Sequence, residues 1–135
     1  MTQKILIVDD EVHLAKILQL TLEHAGYEAV LAYDGREALA MLSEEAPVLV
    51  ILDLMLPLMD GYKVCNIMKS NELTKDIPVI ILSARDLSRT RLEEPITADC
   101  FMEKPFSSEI LLEKIAELLQ GTRSNEEAHE SGTHA

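Results

Sequence analysis

"LVILDLMLPLMDG", residues 49–61, changes character in the middle: an unbroken aliphatic run gives way to Asp53, then Pro57 and Asp60-Gly61. The run "VLVIL", 48–52, is too short for a helix and lacks polar alternation, so it reads as a strand buried on both faces. A strand covered on both faces belongs in a parallel sheet with helices on either side. Asp53 stands at the carboxyl end of that strand, where loss of hydration is costly for a charge, and the position asks for a compensating cation.

Working outward, the same alternation recurs. Upstream, "KILIV" (4–8) is an apolar strand stopped by Asp9-Asp10. "EVHLAKILQLTLEHAG" (11–26) follows, with Ala15, Leu18, Leu22 and Ala25 at helical spacing and Gly26 as its stop. "YEAVLAY" (27–33) is a second strand. "DGREALAMLSEEA" (34–46) is a second helix, with Asp34 as N-cap, Glu37 in the capping-box position and Pro47 ending it. Downstream, "DGYKVCNIMKS" (60–70) is a third helix capped by Asp60, and "PVIILSA" (78–84) a fourth strand. Residues 85–98 must hold a fourth helix, short or irregular because its apolar face is thin and Pro95 falls near its end. "CFMEK" (100–104) is a fifth strand before Pro105. The last helix covers 107–121, with Ser107 or Ser108 as cap and Gly121 as stop. Residues 121–135 contain no aliphatic side chain larger than alanine and are expected to form a disordered polar tail, leaving one domain over 1–120.

Composition excludes several function classes. The chain has 135 residues, 47% of them hydrophobic and 27% charged, enough for one domain with a real core, and no apolar segment approaches membrane-span length. The net charge of −12 repels phosphate backbones and anionic lipid, so no direct nucleic-acid or membrane contact is expected. "MTQKILIVDD" shows no signal-peptide pattern, and Cys65 and Cys100 lack metal-type spacing; a cytoplasmic protein with two reduced thiols is expected.

In doubly wound sheets the ligand site lies beyond the carboxyl ends of the strands. Here those ends carry Asp9-Asp10, Asp53, Ser83-Ala84 and Lys104-Pro105. Each has an ordinary reading alone: Asp10 a helix cap, Asp53 a turn acid, Ser83 a turn former, Lys104 a solvated lysine. Together, three carboxylates at one edge repel one another unless a cation compensates. With only oxygen donors on offer, that cation is Mg²⁺, with Mn²⁺ as substitute, and a Mg²⁺ site completed by phosphate oxygens implies a phosphoryl partner. Lys104 and the Ser83 hydroxyl would then meet other phosphoryl oxygens, and Asp53 is the candidate nucleophile for an aspartyl-phosphate.

The set Asp9-Asp10, "DLMLPLMDG" (53–61), "PVIILSA" (78–84) and "KPF" (104–106), in this order over residues 4 to about 120, resembles the receiver domain of bacterial two-component response regulators, including its chemotaxis members. The resemblance implies a flavodoxin-like (βα)5 sheet in the order 2-1-3-4-5, an arrangement for which the chemotaxis regulator is a reference example. It implies that Asp53 accepts a phosphoryl group from the phosphohistidine of a sensor histidine kinase or a histidine phosphotransfer protein. It implies Mg²⁺ on Asp10, Asp53 and the Met55 carbonyl, with Asp9 helping through water, and Ser83 and Lys104 on the phosphoryl oxygens. Phe101 matches the switch aromatic; its alternative is an ordinary core aromatic. Met55 and Arg85 occupy positions that modulate hydrolysis, and the pair implies a comparatively long-lived phosphate. Output would pass by protein contact to a downstream target, from a monomer or a weak phosphorylation-dependent dimer. The resemblance places the output surface on the fourth helix, fifth strand and last helix, and two departures bear on it: Thr97-Ala98-Asp99 replaces the usual Gly-Ala-Asp, and Pro95 falls in the fourth helix.

Two other functions share these residues. A magnesium-dependent phosphatase would also use an aspartyl-phosphate, but needs a second acid two residues after the nucleophile, where this chain has Met55. A phosphorylation-independent scaffold would keep the fold and ignore the chemistry. Otherwise the protein is not expected to turn over a separate substrate.

Overall fold

The aliphatic runs assemble into one parallel sheet in a computed structural model that describes residues 3–56, 59–83 and 98–131, with side chains to 121. In chain order the elements are β1 (Lys4–Val8), α1 (Val12–His24), β2 (Glu28–Ala32), α2 (Gly35–Glu45), β3 (Leu49–Asp53), α3 (Gly61–Ser70), β4 (Val79–Ser83), β5 (Cys100–Glu103) and α4 (Ser108–Ser131). The strand order is β2-β1-β3-β4-β5, as the resemblance implied, and every pairing is parallel.

Two-residue alternation sends the central strands to two cores. Leu6, Val8, Val50, Leu52, Val79 and Ile81 pack with Ala38 and Leu42 of α2 and Val64, Cys65 and Met68 of α3. Ile5, Ile7, Leu49, Ile51, Ile80 and Leu82 pack with Ala15, Leu18 and Leu22 of α1 and with Leu111 and Ile115 of α4. Burial on both faces explains why β3 and β4 are continuously apolar.

Helix ends follow local chemistry. Asp34 Oδ1 accepts the Glu37 N–H at 2.8 Å and Asp60 Oδ1 the Lys63 N–H at 2.9 Å, so both expected caps form. Gly26, at φ 98°, takes the left-handed conformation that closes α1. Ser107 is the cap of α4, its Oγ accepting from the Ile110 N–H at 3.4 Å. Ala46, at φ 46°, terminates α2 one residue before Pro47, which disfavours helix in the residue it follows.

One expectation is corrected. Gly121 does not stop the last helix, and the tail expected over 121–135 is helical to Ser131. A single interior glycine costs only about 1 kcal/mol relative to alanine, and "NEEAHE" beyond it contains good helix formers. The expected fourth helix, with Pro95, lies outside the described residues. No described helix is long and apolar enough to cross a membrane.

Candidate functional site

Sheet register builds the site. Val8 pairs with Leu52, which sets Asp9 beside Asp53 one step further on; Asp53 pairs with Leu82 and Ser83 with Glu103, which brings Ser83 and Lys104 to the same edge. Carboxylate oxygens of Asp9, Asp10 and Asp53 lie within 4.8 Å of one another. Asp9 and Asp53 are 1% and 4% exposed, so this is a desolvated cluster rather than a solvated acidic face, with Asp10 at its open side.

Each buried carboxylate is held on both oxygens. Asp9 Oδ1 accepts the Glu11 N–H at 2.9 Å, and Asp53 Oδ1 the Met55 N–H at 3.0 Å. The Lys104 ammonium donates to Asp9 Oδ2 at 3.1 Å and to Asp53 Oδ2 at 3.2 Å. Glu11 Oε1 stands 3.8 Å from the same nitrogen. One ammonium therefore faces three carboxylates, with that of Asp10 beside them, and the surplus negative charge is concentrated at the buried pair. Burial raises the Asp9 pKa above the ordinary aspartate value; the Glu11 amide and Lys104 hold it back, and the charge of Asp53 adds to the rise. Burial pulls Lys104 down, but its hydrogen bonds to and the charges of Asp9 and Asp53 outweigh this and raise its pKa above that of a free lysine.

The β3–α3 junction fixes Asp53. Gly61 N–H donates to the Leu54 carbonyl at 3.1 Å, closing the loop between strand and helix. A Cβ on Gly61 would run into the Asp53 carbonyl oxygen and approach Leu54 Cα to 2.7 Å, so the helix can seat this closely only on a glycine.

The donor set is oxygen throughout and suits a hard divalent cation: three clustered carboxylates, one of them exposed and so open to a hydrated ion. Asp9, Asp10, Asp53, Ser83 and Lys104 are thus brought to one edge. Ser83 is fully buried, and its carbonyl accepts the Lys104 N–H at 2.7 Å. Met55, 52% exposed, contributes its amide to Asp53. Phe101 is 44% exposed, which rules out the ordinary core-aromatic reading. Cys65 is buried and Cys100 half-buried, and neither is in a disulfide. Arg85 lies outside the described residues. Two participants escaped the sequence reading. Glu11 extends the acidic run of Asp9-Asp10, which was signal enough. The close contact at Gly61 carries no such signal, because a glycine after a capping aspartate looks like any turn.

Known proteins share the sequence pattern and the fold. The family model described as "Response regulator receiver domain" matches residues 5–116. The response regulator MprA of Mycolicibacterium vanbaalenii is 38% identical over 132 residues, which cover 97% of this chain and 56% of that protein. The alkaline phosphatase synthesis transcriptional regulatory protein PhoP of Bacillus subtilis is 42% identical over 108 residues, 79% of this chain and 44% of that protein. The chain spans about half the length of these curated relatives. Among solved structures, the chemotaxis response regulator CheY4 of Vibrio cholerae superimposes with a TM-score of 0.80 at 28% identity, covering 87% of this chain and 99% of that one. Fold and sequence agree: the chain belongs to the response regulator receiver domain family.

Proposed function

We propose that this domain is a Mg²⁺-dependent phosphoacceptor that takes a phosphoryl group onto Asp53 from the phosphohistidine of a sensor histidine kinase or a histidine phosphotransfer protein. The observation that carries the proposal is the cluster of buried Asp9 and Asp53 with exposed Asp10, set against Lys104, the one cation paired with it among the described residues. Asp10, Asp53 and the Met55 carbonyl would hold Mg²⁺, with Asp9 acting through water, and the ion would supply charge neutralisation for incoming phosphate oxygens.

The chain's own residues account for the rest. The Met55 N–H and Lys104 hold Asp53 with its carboxylate fixed at the sheet edge, which removes rotational freedom before reaction. Asp53 Oδ2, the oxygen that Lys104 contacts, forms the bond to phosphorus as the phosphorus–nitrogen bond of the donor imidazole breaks; that nitrogen keeps the electron pair and takes up a proton from solvent. Lys104 then shifts from Asp53 to a phosphoryl oxygen, and the Ser83 hydroxyl donates to another. Movement of Ser83 toward the phosphate, with inward rotation of the half-exposed Phe101, stabilises the signalling conformation as a population shift.

Output passes through protein contact to a downstream target, with Met55 and Arg85 setting the lifetime of the phosphate. The domain works as a cytoplasmic monomer or weak phosphorylation-dependent dimer, turns over no separate substrate, and with its charge of −12 makes no direct contact with nucleic acid. Intact mass after incubation with phosphoramidate tests this. A single phosphoryl adduct that needs Mg²⁺ and is lost in Asp53→Asn is expected. No adduct on folded protein under any condition would favour a phosphorylation-independent scaffold.

A further inference from the structure

Asp99 has no part in the chemistry above, yet it is the centre of a polar node at the far end of the sheet. Its backbone N–H donates to the Val79 carbonyl at 3.0 Å, and its Oδ2 accepts the Val79 N–H at 2.8 Å, so the side chain serves β4 as a substitute backbone acceptor. The same Oδ2 accepts from the Lys69 ammonium at 3.1 Å. Lys69, on the last turn of α3, also donates to the Ile77 carbonyl at 2.9 Å and the Lys75 carbonyl at 3.2 Å. Its three donors therefore meet three acceptors, and its side chain is only 16% exposed.

What this node adjoins gives it meaning. β5 is an edge strand of four residues, paired on one side only, to β4. Cys100 and Met102 face the core shared with α1 and α4, while Phe101 and Glu103 face out. Because Cys100, Phe101 and Met102 are all apolar, the hydrophobic pattern discriminates poorly between this register and one slipped by a residue, which would exchange the two faces. Such a slip would turn Phe101 inward and withdraw Lys104 from Asp9 and Asp53.

We infer that Asp99 and Lys69 together form a register pin for β5, and that they are in consequence positioning residues for Lys104 at the opposite end of the strand. Sequence pattern leaves the strand under-specified, and the pin supplies the missing specification by tying the residue just before it to β4 and to the end of α3. The effect on phosphoryl transfer rests on the function proposed above; the effect on register does not.

The test compares the full chain with Asp99→Ala, Asp99→Asn and Lys69→Met. NMR cross-strand contacts between Ile81 and Phe101 and between Leu82 and Met102 report the register. Phosphoramidate-driven phosphorylation and Mg²⁺ titration report the site. Asp99→Ala and Lys69→Met should lose or split the native cross-strand contacts. Their phosphorylation should slow by about 10- to 100-fold, the scale of an ångström-level misplacement of a reacting group. Mg²⁺ should still bind, and more tightly than in wild type, because its carboxylates at the ends of β1 and β3 stay in place while the withdrawn Lys104 no longer neutralises them. Asp99→Asn, which keeps an acceptor for Val79, should restore the register. Native contacts in Asp99→Ala would overturn the pin, and lost contacts with an unchanged rate would overturn the positioning role. If Asp99→Ala fails to fold, Lys69→Met carries the same readouts. A wild-type chain that takes up no phosphoryl group would refute the proposed function, while the cross-strand contacts still decide the pin.

Discussion

Gly61→Ala sets two effects of known sign against each other. Gly61 opens α3 with ordinary negative φ, so alanine carries no backbone strain there and helix propensity alone would favour it by at most about 1 kcal/mol. Packing opposes this. The added Cβ meets the Asp53 carbonyl oxygen, comes within 2.7 Å of Leu54 Cα and within 3.1 Å of the Asp53 carbonyl carbon. These neighbours are all backbone and cannot rotate aside, so the upper part of the range of about 1–3 kcal/mol for overpacking applies. The net expectation is a loss of about 2 kcal/mol, or about 6 °C in Tm for a domain of this size. Because the displaced backbone belongs to Asp53, phosphorylation should also slow by about 10- to 100-fold. Gly121→Ala is the matched control: nothing lies within 4 Å of its Cβ and the helix runs through it, so it should gain about 0.5–1 kcal/mol. Urea denaturation followed by circular dichroism measures both. A Gly61→Ala chain as stable as wild type would refute the close-approach reasoning, and a Gly121→Ala chain without any gain would refute the continuous helix.

Lys104→Met leaves Asp9 and Asp53 buried without their shared cation and should cost about 3 kcal/mol in metal-free protein, the scale for removing one partner of a buried ion pair; urea titration with and without Mg²⁺ should show the ion restoring part of the loss. Mg²⁺ at 100 times its Kd should stabilise the wild-type chain by about 2.7 kcal/mol, read as a rise in Tm that Asp10→Ala abolishes; equal shifts in both proteins would place the ion elsewhere. Asp34→Ala removes the carboxylate that accepts from the Glu37 N–H and should cost about 1 kcal/mol in a thermal melt, with phosphorylation unaffected.

Much of this was legible in sequence because the signals were local and mutually consistent. Aliphatic runs buried on both faces imply the parallel sheet, and polar residues directly after each run mark its carboxyl edge, so the edge positions of Asp9, Asp53, Ser83 and Lys104 follow from the sequence alone. The caps at Asp34 and Asp60 were equally plain, since a side-chain acceptor three residues before a free amide is a short-range pattern. What failed was also physical. Gly121 looked like a stop because glycine often closes helices, but termination needs the left-handed conformation that Gly26 adopts and Gly121 does not. The sharing of Lys104 between Asp9 and Asp53 depends on the register of four strands, and the Lys69–Asp99 pair joins residues 30 positions apart. No spacing in the sequence encodes either.

The most direct test of the account is the chemical identity and position of the phosphorylated residue. Treating the phosphorylated chain with borohydride reduces an aspartyl acyl phosphate to homoserine, and peptide mass analysis then locates the change. Homoserine at position 53 alone is the predicted result. Homoserine at position 9 or 10, or a phosphate that survives hydroxylamine and maps to Ser83, would contradict the assignment of Asp53 as the acceptor.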